Sequence, residues 1–113
     1  MKMIIAVVQP TRLRVVREAL YEAGVQRITI CYAQEFANHQ DRAPIYRGVE
    51  YRTDIVRKIT LEIAVNDDFV ERAVEIIQNV YCTEGDESEG EIFIFPIVDA
   101  VELCSQQRGP SAI

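Results

Sequence analysis

Two tyrosines, an arginine and a glutamate lie close together in the chain, at Tyr46, Arg47, Glu50 and Tyr51. Aromatic rings and guanidinium groups are the side chains that most often anchor contacts between proteins. They fall within residues 37–54, which show no sustained helix or strand period, and a loop of this length inside a domain usually has a function. The segment therefore predicts a surface that binds a partner protein.

A second pair of polar side chains, Lys58 and Glu62, lies in a run with strand character. Residues four apart in a strand point to the same face. Lys58 is therefore predicted either to bind a ligand carboxylate or to pair with Glu62, and the sequence leaves both open. The one histidine, His39, with Gln40 beside it, is a candidate metal ligand or a switch near neutral pH. A single histidine in a loop more often has neither role.

The acidic segment 83–91 carries five carboxylates and two glycines. Carboxylates can bind a divalent cation, but the spacing is not that of an EF-hand, and a solvated loop is the simpler interpretation. No histidine pairs with a cysteine or a serine, and no recognisable motif places two carboxylates together. We therefore predict that the chain is not an enzyme.

The composition excludes several classes of protein. A chain of 113 residues is predicted to form one domain, residues 1–113, with a modest core. The net charge of −6 argues against binding to nucleic acid, which needs a basic surface. No apolar run reaches the length of a membrane span, so no membrane insertion is predicted. Three cysteines without paired or metal-binding spacing predict reduced thiols in a cytoplasmic protein.

These side chains must be positioned by two similar units, each of the order strand, helix, strand. Strands are predicted at 3–8, 25–32, 55–65 and 92–97, and residues 105–113 are predicted to be a tail. Helices are predicted to begin at Thr11, with Gly24 as the stop, and after 66–68, which offer N-caps. Two βαβ units predict an α+β, ferredoxin-like fold with helices on one face of an antiparallel sheet. Because the strands are apolar on both faces, partner subunits are expected to cover the second face.

The chain resembles the PII signal-transduction proteins over its whole length, with one extra residue near position 86. The most specific match is the run Tyr46-Arg47-Gly48-Val49-Glu50-Tyr51 in the long loop after the second strand. The other matching positions are Pro10, Leu13, Val16 to Leu20, Gly24, Thr29, Phe36, Asp54, Lys58, Glu62, Thr83, Ile92-Phe93, Phe95-Pro96 and Ala112-Ile113.

The resemblance implies a homotrimer whose segment 37–54 is a T-loop that binds a target enzyme, transporter or regulator of nitrogen or carbon metabolism. It implies that clefts between subunits bind ATP or ADP, with 2-oxoglutarate joining Mg-ATP at the base of the loop. Tyr51 resembles a tyrosine that is covalently modified in some members. The positions implied for the cleft are Thr29, Phe36, Lys58, Glu62, Thr83 and Gly90.

Departures from the family pattern are concentrated where the phosphates would bind. Asn38, Glu91, Glu102 and Cys104 stand where the family carries positive side chains, and His39 stands at the position of a metal-binding glutamine. A triphosphate needs several converging cations or N–H groups. We therefore expect impaired or altered ATP and 2-oxoglutarate sensing, with a nucleoside, AMP or no nucleotide fitting better than ATP.

Two alternatives to an effector-sensing regulator remain open from the sequence. One is a constitutive interaction trimer that has lost effector binding. The other is a small-ligand or metal-binding trimer that uses the acidic segment 83–91 together with His39.

Overall fold

The computed structural model describes residues 1–36, 55–82 and 89–113, together with the backbone of residues 45–46 and 49–50. The strands are β1 (Lys2–Val8), β2 (Thr29–Phe36), β3 (Ile45–Tyr46), β4 (Val49–Glu50), β5 (Ile55–Val65) and β6 (Glu91–Pro96). The helices are α1 (Leu13–Glu22) and α2 (Val70–Tyr81), and short 3₁₀ turns cover Pro10–Arg12, Asp67–Phe69 and Gly109–Ala112.

The main sheet has four strands in the order β2-β5-β1-β6, and every neighbouring pair is antiparallel. The two halves of the chain each supply a strand, a helix and a strand, so the predicted α+β, ferredoxin-like arrangement is confirmed. The short strands β3 and β4 pair only with each other, with Tyr46 opposite Val49, and form a separate two-stranded ribbon.

The core lies between the sheet and the two helices. Alternate residues of β5 are buried because successive side chains of a strand point to opposite faces, as the sequence predicted for Ile59, Leu61, Ile63 and Val65. From the helices, the fully buried members of the core are Val16, Leu20 and Ala73. The opposite face of the sheet remains apolar and partly open, with Phe93 46% and Phe95 49% exposed.

The end of α1 is fixed by Gly24, as predicted, and this also explains an error in the predicted second strand. Gly24 has φ of +99°, its N–H donates to the carbonyl of Tyr21, and the N–H of Val25 donates to that of Leu20. These two bonds form a Schellman motif, which keeps Val25 attached to the helix. The predicted start of the strand at Val25 was therefore wrong, and β2 runs from Thr29 to Phe36.

The predicted N-caps for the second helix were also wrong. Neither Asn66 nor Phe69, the residues that precede the 3₁₀ turn and α2, makes a side-chain cap hydrogen bond. Asp67 instead accepts a bond of 2.7 Å from the amino group of Met1 and lies 3.5 Å from the amine of Lys2. Hydrogen bonding to the Met1 amino group, with the charge of Lys2, lowers the pKa of the Asp67 carboxyl. None of the helices in the described part of the chain is long and apolar enough to cross a membrane.

Candidate ligand cleft

A cleft of about 630 Å³ opens at one end of the sheet. Its walls are the connection from α1 to β2, the C-terminal end of β5 with the start of the 3₁₀ turn that follows, and the C-terminal residues Ala112 and Ile113. Most of the lining is apolar, and Val25 and Phe69 are two examples. Six polar or charged side chains line the cleft as well, so it suits a small organic ligand that has both apolar faces and polar groups.

The polar groups of the cleft include two of the predicted site residues. Thr29 and Glu62 are directly opposite each other in the pairing of β2 with β5, and both line the cleft. Arg27, Asn66 and Asp68 line it as well. Sequence reasoning missed these three residues, since Asn66 and Asp68 were interpreted only as helix caps and no motif marks Arg27.

Phe36, Lys58 and Gly90 lie away from this cleft, although the resemblance grouped them with Thr29 and Glu62. Phe36 is opposite Ile55 at the far end of the β2–β5 pair. Lys58 lies between these two ends, and only 5% of it is exposed. Lys58 and Glu62 do not form an ion pair, because four residues of strand separate them by about 13 Å along its axis. The chain therefore holds two separate groups of predicted site residues.

Gly90 is anchored by the ring of Tyr81, which is 6% exposed. The hydroxyl of Tyr81 donates to the carbonyl of Glu89 at 2.5 Å and accepts from the N–H of Gln9 at 3.3 Å. A Cβ atom on Gly90 would lie 2.6–2.8 Å from three atoms of the Tyr81 side chain. The ring therefore requires glycine at this position, a packing role that the resemblance did not imply.

Gly90→Ala is expected to destabilise the fold by about 1–3 kcal/mol, the usual cost of overpacking. The added methyl group must displace the Tyr81 ring, which is held at its hydroxyl by two hydrogen bonds. Urea unfolding of the variant checks this, and the same substitution in a Tyr81→Leu background should cost much less. Equal costs in both backgrounds would mean that the ring is not the obstacle.

Two of the positions that depart from the family pattern, Glu102 and Cys104, lie in the C-terminal segment, which the structure describes. The carboxylate of Glu102 accepts a hydrogen bond of 2.6 Å from the N–H of Ser105. Hydrogen bonds from Ser105 and from the backbone of Cys104 lower the pKa of the Glu102 carboxyl, and the charge of Arg27 adds to this. Cys104, like the other two cysteines, is an exposed free thiol. The carboxylate of Glu102 is thus hydrogen-bonded within its own turn.

The other predicted residues cannot be placed as side chains. Tyr46 and Glu50 are described by their backbone only, in β3 and β4. The positions that lie outside the described residues are Asn38, His39, Gln40, Arg47, Tyr51 and Thr83. Among the residues that are described, no group of three or more His, Cys, Asp or Glu side chains could hold a metal ion.

Comparison with known proteins identifies the family. The sequence profile of the family described as Nitrogen regulatory protein P-II matches residues 1–107. The chain belongs to the P-II family. Similar relatives include the P-II protein of Rhodospirillum rubrum, 39% identical over the full length of both chains, and that of Azospirillum brasilense, 37% identical over the full length of both.

Among solved structures, Arabidopsis thaliana PII bound to citrate is similar with a TM-score of 0.77 and 27% identity, covering 99% of this chain and 91% of that one. The GlnK1 nitrogen regulatory protein of Methanosarcina mazei is 33% identical and matches all of this chain and 97% of its own length. The P-II resemblance and the fold are therefore confirmed. P-II proteins are regulatory proteins and not enzymes, which confirms the prediction that the chain is not an enzyme.

Proposed function

We propose that the chain is a cytoplasmic, homotrimeric P-II regulator that binds a target protein through residues 37–54 and whose effector cleft favours a nucleoside or AMP over Mg-ATP. The observation that carries the proposal is the separation of the predicted site residues within one subunit. Thr29 on β2 and Glu62 on β5 line the cleft, while Gly90 and Glu91 lie at the start of β6, on the opposite edge of the sheet from β2. A second copy of the chain is needed to bring the two groups together.

Family membership and the open apolar sheet face both support a trimer. Phe93 and Phe95 lie on the face of the sheet that the helices leave uncovered, and each is about half exposed. Burial of such a face is a main source of free energy for subunit association. The paired strands β3 and β4 lie within the partner-binding segment, and Tyr46 and Glu50 belong to them.

The residues present fit a heterocyclic base better than a chain of phosphates. The cleft offers apolar walls with a hydroxyl at Thr29 and a carboxylate at Glu62, which could hold the faces and the edge of a base. At the other end of the sheet, Glu91 is exposed, and Lys58 is nearly buried. A carboxylate beside a phosphate opposes binding, and a single lysine does not supply the converging donors that a triphosphate needs.

Calorimetry with Mg-ATP, ADP, AMP, adenosine and 2-oxoglutarate tests the proposal. We expect AMP or adenosine to bind more tightly than Mg-ATP, and 2-oxoglutarate to give no added binding in the presence of Mg-ATP. Thr29→Val should weaken binding of the base, while the matched control Thr11→Val, on the exposed 3₁₀ turn before α1, should not. Micromolar Mg-ATP binding that supports 2-oxoglutarate would contradict the proposal, as would a monomer by light scattering.

A further inference from the structure

The hydrogen bonds between β1 and β6 follow a register that continues beyond the last paired residues of the two strands. The N–H of Ile97 donates to the carbonyl of Met1 at 3.0 Å, so these two residues form a hydrogen-bonded pair. Such pairs recur at every second position of an antiparallel ladder. Val7 and Glu91, the last pair within the two strands, belong to this series.

The next hydrogen-bonded pair of the series would be Gln9 with Glu89, but the hydroxyl of Tyr81 lies between them. The N–H of Gln9 donates to this hydroxyl at 3.3 Å, and the hydroxyl donates to the carbonyl of Glu89 at 2.5 Å. A direct bond would bring the same two backbone groups to about 2.9 Å from each other. The hydroxyl therefore replaces one bond of the ladder and holds the ends of β1 and β6 apart.

The ring of Tyr81 determines which way the residues around Gly90 point. Tyr81 is the last residue of α2 and is 6% exposed, and a Cβ atom on Gly90 would face its ring at 2.6–2.8 Å. Neighbouring side chains of an extended chain point to opposite sides. Glu89 and Glu91, on either side of Gly90, are therefore directed away from the ring, and both are exposed. The position of these two carboxylates thus depends on Tyr81.

We propose that Tyr81 is the positioning residue for phosphate selection at the effector site. Its bridging hydroxyl fixes where Glu89 lies, and the carboxylate of Glu89 opposes the phosphates of a nucleotide. The inference rests on the proposed function, in which a base is preferred to a chain of phosphates. A fixed position matters because the repulsion between two charges falls with distance and is screened further by water and salt. Tyr81 acts through Glu89, since its own side chain is nearly buried.

Hydrogen exchange at the Gln9 amide tests the bridge without any ligand. Tyr81→Phe keeps the ring and removes the hydroxyl, so the amide loses its acceptor. Exchange at Gln9 should become about three- to tenfold faster, the effect of losing one hydrogen bond. Tyr81→Leu removes the ring as well, so the strands can close and Gln9 can donate directly to Glu89. Exchange at Gln9 should then return to about the wild-type rate.

This return of protection distinguishes a bridge from general support of the fold. A merely structural tyrosine would give the fastest exchange in Tyr81→Leu, because leucine leaves the larger cavity. Exchange at the fully buried Ile4, within β1, is the internal reference for global opening. Tyr21→Phe removes the hydroxyl of an exposed tyrosine on α1 and should leave exchange at Gln9 unchanged. Unchanged exchange at Gln9 in Tyr81→Phe, or the fastest exchange in Tyr81→Leu, would overturn the proposal.

A double-mutant cycle on the affinity for Mg-ATP, measured by calorimetry, tests the role of the carboxylate. Glu89→Gln should raise this affinity about threefold, the effect of removing one screened charge interaction. In the Tyr81→Phe background the same substitution should have almost no effect, because Glu89 is no longer held in place. The affinity for adenosine, which has no phosphate, should be equal in all four proteins. Glu71→Gln removes a charge from the exposed surface of α2 and should leave both affinities nearly unchanged.

The failure of the positioning role and the failure of the proposed function are distinguishable. Micromolar Mg-ATP binding that supports 2-oxoglutarate would contradict the proposed function, yet coupling between positions 81 and 89 would still support the positioning role. Weak Mg-ATP binding with equal effects of Glu89→Gln in both backgrounds would keep the proposed function and remove the positioning role. Absence of Mg-ATP binding in all four proteins would also remove it, because Glu89 would then not be the group that opposes the phosphates.

Discussion

Glu91→Lys is expected to raise the affinity for Mg-ATP by about ten- to a hundredfold. Glu91 begins β6, is exposed, and stands where the family resemblance places a positive side chain. Two unit charges about 4 Å apart interact by about 4 kcal/mol at an effective dielectric near 20, which corresponds to roughly a thousandfold in affinity. Exposure to solvent and salt screens this interaction, so the expected gain is smaller.

Calorimetry at two ionic strengths checks this result. The affinity should rise in the order wild type, Glu91→Gln, Glu91→Lys, and the differences should shrink at high salt because the Debye length becomes shorter. Glu71→Lys makes the same change in net charge on the exposed surface of α2 and should leave Mg-ATP binding nearly unchanged. An equal gain from Glu71→Lys would show that only net charge matters and that position 91 has no special part.

The elements that were predicted well are those whose burial follows a short local period. The alternation along β5 predicted which residues face the helices, and the helical spacing of Val16 and Leu20 predicted the buried face of α1. One prediction failed where a group distant in sequence intervened. Asp67 was expected to cap a helix, but the amino group of Met1, distant in sequence, takes its carboxylate.

Two of the residues that the resemblance implied for the cleft, Thr29 and Glu62, line it, whereas Lys58 and others lie elsewhere. Spacing along β5 correctly places Lys58 and Glu62 on one face, yet it does not convey that they lie about 13 Å apart. The position of the last residues of the chain was not predicted because it depends on the bond between Asn66 and Pro110, which are 44 residues apart. No local pattern announces such a contact, whereas the glycine stop at Gly24 depends only on the residues around it.

The second large effect is expected for the core beneath the cleft. Leu61→Ala should reduce the free energy of unfolding by about 3–5 kcal/mol, because Leu61 is fully buried and its removal leaves a cavity between the sheet and the helices. That is a large fraction of the stability of a typical domain. Urea unfolding at a fixed protein concentration measures the loss, since the proposed trimer would make apparent stability depend on concentration.

Neighbouring residues on β5 make this result informative about function. Leu61 points into the core while Glu62, the next residue, lines the cleft, because a strand alternates its faces. Leu61→Ala should therefore lower stability and leave the ligand affinity of the folded protein unchanged. Glu62→Gln should instead weaken ligand binding and leave stability nearly unchanged. The control Val56→Ala, on the same strand but 39% exposed, should cost less than about 1 kcal/mol. If Leu61→Ala costs no more than Val56→Ala, Leu61 does not support the core; if it changes ligand affinity, the two faces of β5 are coupled.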